Sequence, residues 1–278
     1  MKTLIVFLWF SFLASGFPWA SPVWAQKTAD KPFILGIIDE IPSTRLGEKR
    51  ILNLYLPDDY QQNKTARYPV IYLLDGSANE DFVHIVGLVQ FCQMIQILPK
   101  SIVVGIANVD RKRDFTFPTT IAEDKANYPT TGGSARFMAF LEKELQPFIQ
   151  KKYRTNGSRT LIGQSLGGLL ATEILLKKPD LFTTYLIVSP SLWWDNESLL
   201  AKAPQFVSQS PDPPRQVYIS VGSEGKQMED DARKLADVLR QSGQKNQQVI
   251  FAPLPDENHL TILHESIYRA FKTLNPNR

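Results

Sequence analysis

The sequence predicts an α/β protein with a mostly parallel sheet and helices on both faces. Six short segments that are apolar at nearly every position recur along the chain, and stretches with helical periodicity lie between them. Continuously apolar strands are typical of a parallel sheet that is covered on both sides. The chain has 278 residues, 43% hydrophobic and 21% charged, which is an ordinary globular composition. α/β folds often use this length for a single core.

The first 25 residues are predicted to lie outside that core. Lys2 supplies a positive charge, an apolar run extends from Leu4 to Leu13, and Ala25 ends a small-residue cleavage site. The run is shorter than the about 20 residues that a membrane-spanning helix needs. We therefore predict a cleaved signal peptide at 1–25, a single domain at 26–278, and a mature protein that is periplasmic or secreted without stable membrane association. An uncleaved membrane anchor is the alternative.

The strand predictions follow in chain order. Residues 33–57 read as two strands joined near Gly47, in an antiparallel hairpin. The six buried strands are predicted at VIYLLDG (70–76), SIVVGIA (101–107), TLIG (160–163), YLIVSP (185–190), VYISVG (217–222) and QVIFAPL (248–254).

Two helices have the clearest periodicity, at 135–153 and 229–243, and Gly243 is suited to end the second. The Pro-rich stretch at 208–216 is expected to be a surface loop, because a strand pattern resumes directly after it. One doubly wound domain follows from this order.

Composition also limits the partners. The chain has 31 basic and 28 acidic residues, a net charge of +3, and no basic run, so we expect no nucleic-acid partner. Three scattered histidines and a single cysteine, Cys92, give no metal-ligand spacing. We expect a small-molecule substrate, no metal and no cofactor.

One pentapeptide indicates a nucleophile. Gly163-Gln164-Ser165-Leu166-Gly167 lies between a predicted strand and a predicted helix, and it fits the strand–turn–helix elbow that exposes a serine hydroxyl. Glycines at both ends allow the backbone to pass closely, and the amide of Leu166 points toward a developing oxyanion.

A serine nucleophile needs a base, and His259 follows the last strand, in a loop at the carboxyl edge of the sheet. His84 and His264 lie in helical apolar patterns and are expected to be structural. In this architecture the acid is expected after the strand VYISVG (217–222), which precedes the strand that leads to His259. Glu224 is the first carboxylate after VYISVG.

Other outcomes for the acid stay open. Glu229, Asp230 and Asp231 come next, at the start of a helix, where acidic residues are common because they oppose the helix dipole. A Ser–His dyad without a dedicated acid is a further alternative. A second oxyanion donor is expected from the backbone of Gly76 or Ser77, at the end of a central strand.

Several separated motifs resemble the Putative esterase family of the α/β-hydrolase superfamily. They are the elbow, SPSLWWDN at 189–196, the VIYLLDG strand and GIANVDRKRDFTFP at 105–118, and the resemblance runs from about residue 34 to 271. This family includes siderophore esterases of the enterobactin type, with S-formylglutathione hydrolase and antigen 85 as more distant relatives. The resemblance implies the α/β-hydrolase fold and carboxylic-ester hydrolysis with Ser165 as nucleophile and His259 as base. Gln164 departs from the histidine that many members carry before the serine.

The substrate is less well defined by the sequence. Trp193, Trp194 and Phe115 are candidate aromatic walls for an acyl group or for the aromatic arms of a catecholate trilactone, and Arg113 is a candidate for attracting an anionic substrate. Arg111 and Arg136 are candidates for the same electrostatic role. The prediction is an exported serine esterase, with siderophore esters as candidate substrates. An acyltransferase of the same fold and a general small-acyl esterase or thioesterase are the alternatives.

Overall fold

The computed structural model describes residues 30–276, and from Leu35 onward the chain forms one compact unit. The predicted signal peptide lies outside the described residues. Within residues 30–276, no helix is both long enough and apolar enough to cross a membrane.

The sheet has eight strands in the order β1-β2-β4-β3-β5-β6-β7-β8. Their bounds are Ile37–Ser43 (β1), Glu48–Tyr55 (β2), Tyr68–Leu73 (β3), Ile102–Ile106 (β4), Thr155–Gln164 (β5), Thr184–Val188 (β6), Arg215–Gly222 (β7) and Gln247–Leu254 (β8). β1 pairs antiparallel with β2, β2 pairs antiparallel with β4, and all the other pairings are parallel. The predicted hairpin and parallel sheet are confirmed.

The helices are Phe82–Met94 (α1), Arg111–Phe115 (α2), Ala122–Asn127 (α3), Ser134–Phe140 (α4), Gln146–Lys152 (α5), Leu166–Lys177 (α6), Trp194–Gln209 (α7), Lys226–Gln241 (α8) and Ile262–Leu274 (α9). A π-helical turn at Leu141–Leu145 joins α4 to α5, so the helix predicted at 135–153 is one continuous rod with a widened turn. The helix predicted at 229–243 is α8, and Gly243 follows it with a φ of 74°.

An apolar layer on each face of the sheet explains why apolar and polar residues do not alternate along the buried strands. In β3, Val70 and Tyr72 belong to the core beneath α4, α6, α7 and α8, whereas Ile71 and Leu73 face the core beneath α1 and α9. Both faces of the strand are therefore removed from water, and each position favours an apolar side chain. The free thiol of Cys92 is buried in the second layer, and burial raises its pKa to about 11.

This topology determines where the functional loops lie. β3 to β8 are parallel, so their carboxyl ends meet at one edge of the sheet. The segments that follow β5, β7 and β8 carry Ser165, Glu224 and His259. In open α/β sheets, ligands bind in the crevice at this edge.

Candidate active site

Ser165 occupies a sharp turn between β5 and α6. Its φ of 58° and ψ of −120° lie outside the regions that non-glycine residues usually adopt. A Cβ on Gly163 would lie 2.3 Å from the carbonyl oxygen of Gly167, so only glycine allows the strand to turn this tightly into the helix. Strain of this kind persists where the surrounding structure enforces it, and it is concentrated at functional sites.

The structure brings Glu224 to His259. The Oε2 atom of Glu224 lies 2.5 Å from the Nδ1 atom of His259, in a hydrogen-bonded pair. The carboxylate side chain is only 3% exposed, whereas the imidazole is 40% exposed. The acid is therefore buried behind a ring that is open to solvent.

The second oxygen of Glu224 is held as well. Oε1 accepts hydrogen bonds from the hydroxyl of Ser189 at 2.5 Å and from the N–H of Gly222 at 3.0 Å. Burial by itself raises the pKa of Glu224, but the hydrogen bonds from His259, Ser189 and Gly222 outweigh it and hold the pKa below its ordinary value. The carboxylate is thus kept ionised beside the imidazole.

The neighbouring carboxylates have other partners. Glu229 accepts from the backbone N–H groups of Glu224 and Gly225, each at 3.1 Å, at the start of α8. Asp230 pairs with Lys226 in solvent, and Asp231 is buried and pairs with Lys234. Only Glu224 among these four contacts His259.

Two further contacts on the predicted catalytic residues were not anticipated from the sequence. The side-chain amide of Gln164 donates to the backbone carbonyl of His259 at 2.5 Å, so the departure at this position ties the histidine's loop to the elbow. The hydroxyl of Ser191 lies 3.3 Å from that of Ser165, and its N–H donates to the Ser165 carbonyl at 3.1 Å. No local sequence pattern signals either contact, because each joins residues far apart in the chain.

An open pocket of about 530 Å³ connects these groups. Its lining combines the three predicted catalytic side chains with hydroxyl, amide and apolar groups, namely Ser165, Ser191, Trp193, Ser223, Glu224, Met228, Asn258 and His259. A larger cavity of about 980 Å³ lies beside the carboxyl end of α1 and contains none of these residues. We assign the chemistry to the smaller pocket, because the nucleophile and base candidates line it.

Comparison with known proteins agrees with this geometry. The sequence model of the family described as Putative esterase matches residues 43–261. The chain belongs to this esterase family. It is 31% identical to the ferri-bacillibactin esterase BesA of Bacillus subtilis over 254 residues, which cover 83% of this chain and 87% of the relative.

Comparison with solved structures also identifies similar hydrolases. The chain superimposes on an IroE-like serine hydrolase from Shewanella oneidensis with a TM-score of 0.80 and 32% identity, covering 87% of this chain and 80% of the other. The BES protein from Bacillus cereus gives a TM-score of 0.76 and 28% identity, covering 88% and 97%. The architecture is the α/β-hydrolase fold, and the chain is an ester-hydrolysing enzyme.

The predicted oxyanion donors have different environments in this esterase. Leu166 is the first residue of α6, so its N–H has no carbonyl partner within the helix. The N–H of Ser77 lies 3.3 Å from the Oε2 atom of Glu80, at the long end of hydrogen bonding. The N–H of Gly76, however, is buried and donates to the carbonyl of Ile106 at 3.0 Å. The prediction for Gly76 is therefore wrong, while Leu166 and Ser77 remain predicted donors.

Of the three predicted aromatic walls, only Trp193 lines the pocket. Trp194 is fully buried, and its indole N–H donates to the carbonyl of Phe117 at 2.9 Å. Phe115 is 1% exposed and packs edge-on against Phe137. Neither side chain can contact a substrate in this arrangement, so both predictions are wrong.

The predicted arginine contacts are corrected as well. The guanidinium of Arg113 is paired with Glu48 at 2.7 Å and with Asp114 at 2.8 Å, so its charge is already compensated. Arg111 forms a two-point ion pair with Asp75, at 2.6 and 2.8 Å, and lies 3.4 Å from the carbonyl of Gln164. Arg111 thus braces the segment after β3 against the elbow. Arg136 is exposed on α4 and does not line the pocket.

The other two histidines lie outside the pocket. His84 on α1 and His264 on α9 approach each other with their Nδ1 atoms 3.4 Å apart, and His84 also contacts Asp81 at 3.2 Å. Over residues 30–276, no group of three or more potential ligands is arranged to hold a metal ion.

Proposed function

We propose that this protein is an exported serine esterase that cleaves carboxylic esters through a covalent acyl-enzyme. The observation that carries the proposal is that Ser165, on its strained elbow, lines the same pocket as the hydrogen-bonded pair of Glu224 and His259. A nucleophile, a base and an orienting acid in chain order Ser–acid–His are the parts that α/β-hydrolase catalysis requires.

The reaction runs in two halves. His259 takes the proton of the Ser165 hydroxyl as the oxygen attacks the ester carbonyl, and the N–H of Leu166 stabilises the tetrahedral oxyanion. The N–H of Ser77 is the proposed second donor, and it must exchange its long hydrogen bond to Glu80 for one to the oxyanion. His259 then gives this proton to the leaving alcohol, and the acyl group stays on Ser165. In the second half, His259 activates a water that releases the carboxylic acid and returns the proton to Ser165.

Glu224 acts through the imidazole. Its carboxylate accepts a hydrogen bond from Nδ1–H, so the ring proton stays on Nδ1 and Nε2 is unprotonated and free to act as the base. The negative charge also stabilises the imidazolium that forms in the transition state. Burial strengthens this interaction, because little solvent screens the carboxylate.

Substitution of the two reacting side chains tests the mechanism. Ser165→Ala and His259→Ala should each lower kcat by about 10⁶-fold, because the two residues act as a unit. Ser266→Ala is the matched control, since it removes a buried serine hydroxyl on α9, bonded to Ser220, outside the pocket. Full activity in either alanine variant of the pair would contradict the proposal.

We further propose that the substrates are siderophore esters with aromatic acyl arms. The support is the relationship to BesA, whose name records a ferri-bacillibactin esterase, and the pocket wall formed by Trp193. The indole of Trp193 has Trp194 and Tyr128 behind it, with ring centroids 6.2 and 6.3 Å away, so it presents a fixed flat surface. Flat apolar faces favour aromatic groups.

A comparison of two esters tests the substrate class. We expect kcat/KM for a catecholate trilactone to exceed that for p-nitrophenyl butyrate by orders of magnitude. The preference should depend little on salt, because the charges of Arg111 and Arg113 are already paired. Faster cleavage of the butyrate would leave a general esterase, and a product ester in the presence of an added alcohol would indicate acyl transfer.

Export is the third part of the proposal. It is supported by the charged start, apolar run and small-residue site within residues 1–25. Amino-terminal sequencing of fractionated protein should find Gln26 as the first residue in the periplasmic or secreted fraction. Met1 in a membrane fraction would instead support the anchor.

A further inference from the structure

Ser189 is a buried residue at the exit of β6, between the strand that leads to Ser165 and the strand that leads to Glu224. Its side chain is fully buried, and its N–H donates to the carbonyl of Ser220 on β7 at 2.8 Å. Its own strand is short, Thr184–Val188, and the turn after it begins at Ser189. The residue is therefore fixed by the sheet and does not reach solvent.

The backbone of Ser189 is strained. Its φ is 43°, in the left-handed region that glycine adopts at low cost and that serine rarely adopts. Strain of this kind persists only where something compensates for it. Two contacts hold Ser189 in this conformation: its N–H donates to the carbonyl of Ser220, and its hydroxyl donates to Oε1 of Glu224 at 2.5 Å.

The geometry of the carboxylate shows what this bond does. With the N–H of Gly222 at 3.0 Å, the hydroxyl gives Oε1 two donors, and Oε2 is left to face Nδ1 of His259 at 2.5 Å. A carboxylate held by three donors in two directions cannot rotate about its terminal bond without losing hydrogen bonds. The buried charge is also compensated, as a buried ion requires.

We propose that Ser189 is a positioning residue for catalysis, which fixes the orientation of the Glu224 carboxylate so that Glu224 can orient His259. The proposal rests on the proposed serine-esterase mechanism, because it assigns a role only if Glu224 serves as the acid. It places a positioning residue directly after β6, the strand between those that lead to the nucleophile and to the acid, where the sequence indicated none.

Two substitutions distinguish the effect of losing the Ser189 hydroxyl from the effect of relieving the strained backbone. Ser189→Gly and Ser189→Ala both remove the donor, but only glycine relieves the left-handed backbone. We expect the same fall in kcat in both, about 10- to 100-fold, as for loss of a hydrogen bond to a charged group. KM should stay nearly unchanged, and the glycine variant should have the higher Tm.

The pH profile provides a readout that a structural defect would not change. Without the Ser189 donor the carboxylate holds a proton more readily, so the acidic limb of kcat/KM should move to higher pH in both variants. Ser266→Ala, which removes a buried hydroxyl bonded to Ser220, should lower Tm without moving this limb.

The outcomes are distinct. Wild-type kcat and an unmoved acidic limb in both Ser189 variants, with Ser165→Ala inactive, would overturn this inference and leave the proposed function intact. A kcat that falls in the alanine variant but recovers in the glycine variant would also overturn it, because strain would then be the cause. An active Ser165→Ala variant would overturn the proposed function itself.

Discussion

Glu224→Gln replaces the buried carboxylate by a group of the same shape and no charge. Oε1 of Glu224 accepts two hydrogen bonds, from the hydroxyl of Ser189 and the N–H of Gly222. Only the carbonyl oxygen of glutamine can accept both, so the amide NH₂ must take the place of Oε2. That NH₂ then faces Nδ1 of His259, at the place where Oε2 of Glu224 lies 2.5 Å from Nδ1 in the wild type.

This substitution reverses the histidine's tautomer. An NH₂ group can only donate, so Nδ1 becomes the acceptor and the ring proton moves to Nε2. A neutral ring protonated at Nε2 cannot take the proton of Ser165. Tautomer reversal in a catalytic triad costs about 10⁴-fold in kcat, which is about 5.5 kcal/mol of transition-state stabilisation at about 1.4 kcal/mol per tenfold.

Glu224→Ala is the informative companion. It removes the charge but imposes no donor on Nδ1, and the half-exposed ring can exchange tautomers through water. We therefore expect the alanine variant, the larger truncation, to be more active than the glutamine variant. Initial rates with p-nitrophenyl butyrate give kcat and KM for both, and thermal melts check that both fold.

The refuting results are specific. Wild-type kcat in Glu224→Gln would show that Ser165 and His259 work as a dyad without this acid. If alanine were as damaging as glutamine or worse, with both variants folded, the tautomer argument would be wrong and charge alone would explain the loss.

Three further predictions follow from the same contacts. The pKa of Glu224 is lowered in the folded state, so ionised Glu224 stabilises the fold above the ordinary carboxyl pKa of about 4.3, and this contribution is lost as pH falls through the lower folded value. The Tm difference between wild type and Glu224→Gln should therefore shrink as the pH is lowered through this range. A Tm difference that does not change with pH would contradict this. Gln164→Ala should lower kcat by about tenfold with KM unchanged, because the loop of His259 loses its tether, and hydrogen exchange should rise in that loop; unchanged exchange would count against the tether. Trp193→Ala should raise KM for aromatic acyl esters with little change in Tm, whereas Trp194→Ala should reduce the free energy of unfolding by about 3–5 kcal/mol; equal effects of both substitutions on KM would contradict the assignment.

The fold could be predicted because its signal is local. Burial on both faces makes each central strand apolar throughout, and β6 and β7 are readable for this reason. Once the strands are taken as parallel, their carboxyl ends share one edge, and the loops bearing Ser165, Glu224 and His259 must lie near one another. Chain order therefore carried most of the information about the site.

What could not be predicted depends on contacts between distant residues. Phe115 and Trp194 were expected at the substrate because aromatic residues near loops are suited to binding, but the sequence does not reveal which of them the core buries. Arg113 is paired with Glu48, which is 65 positions away in the chain. The hydroxyl of Ser189 is similar, because its role depends on a backbone angle and on an acid 35 positions away.

The central claim is that an acyl group passes through Ser165. A rapid quench of the wild-type enzyme with excess p-nitrophenyl butyrate, followed by peptide mass spectrometry, tests it directly. We predict a butyryl adduct on the peptide that contains Ser165, formed with a burst of p-nitrophenol equal to the enzyme concentration when deacylation is the slower step, and no adduct in Ser165→Ala. Turnover by the wild-type enzyme with no adduct on this peptide, or with the acyl group on another residue, would contradict the account.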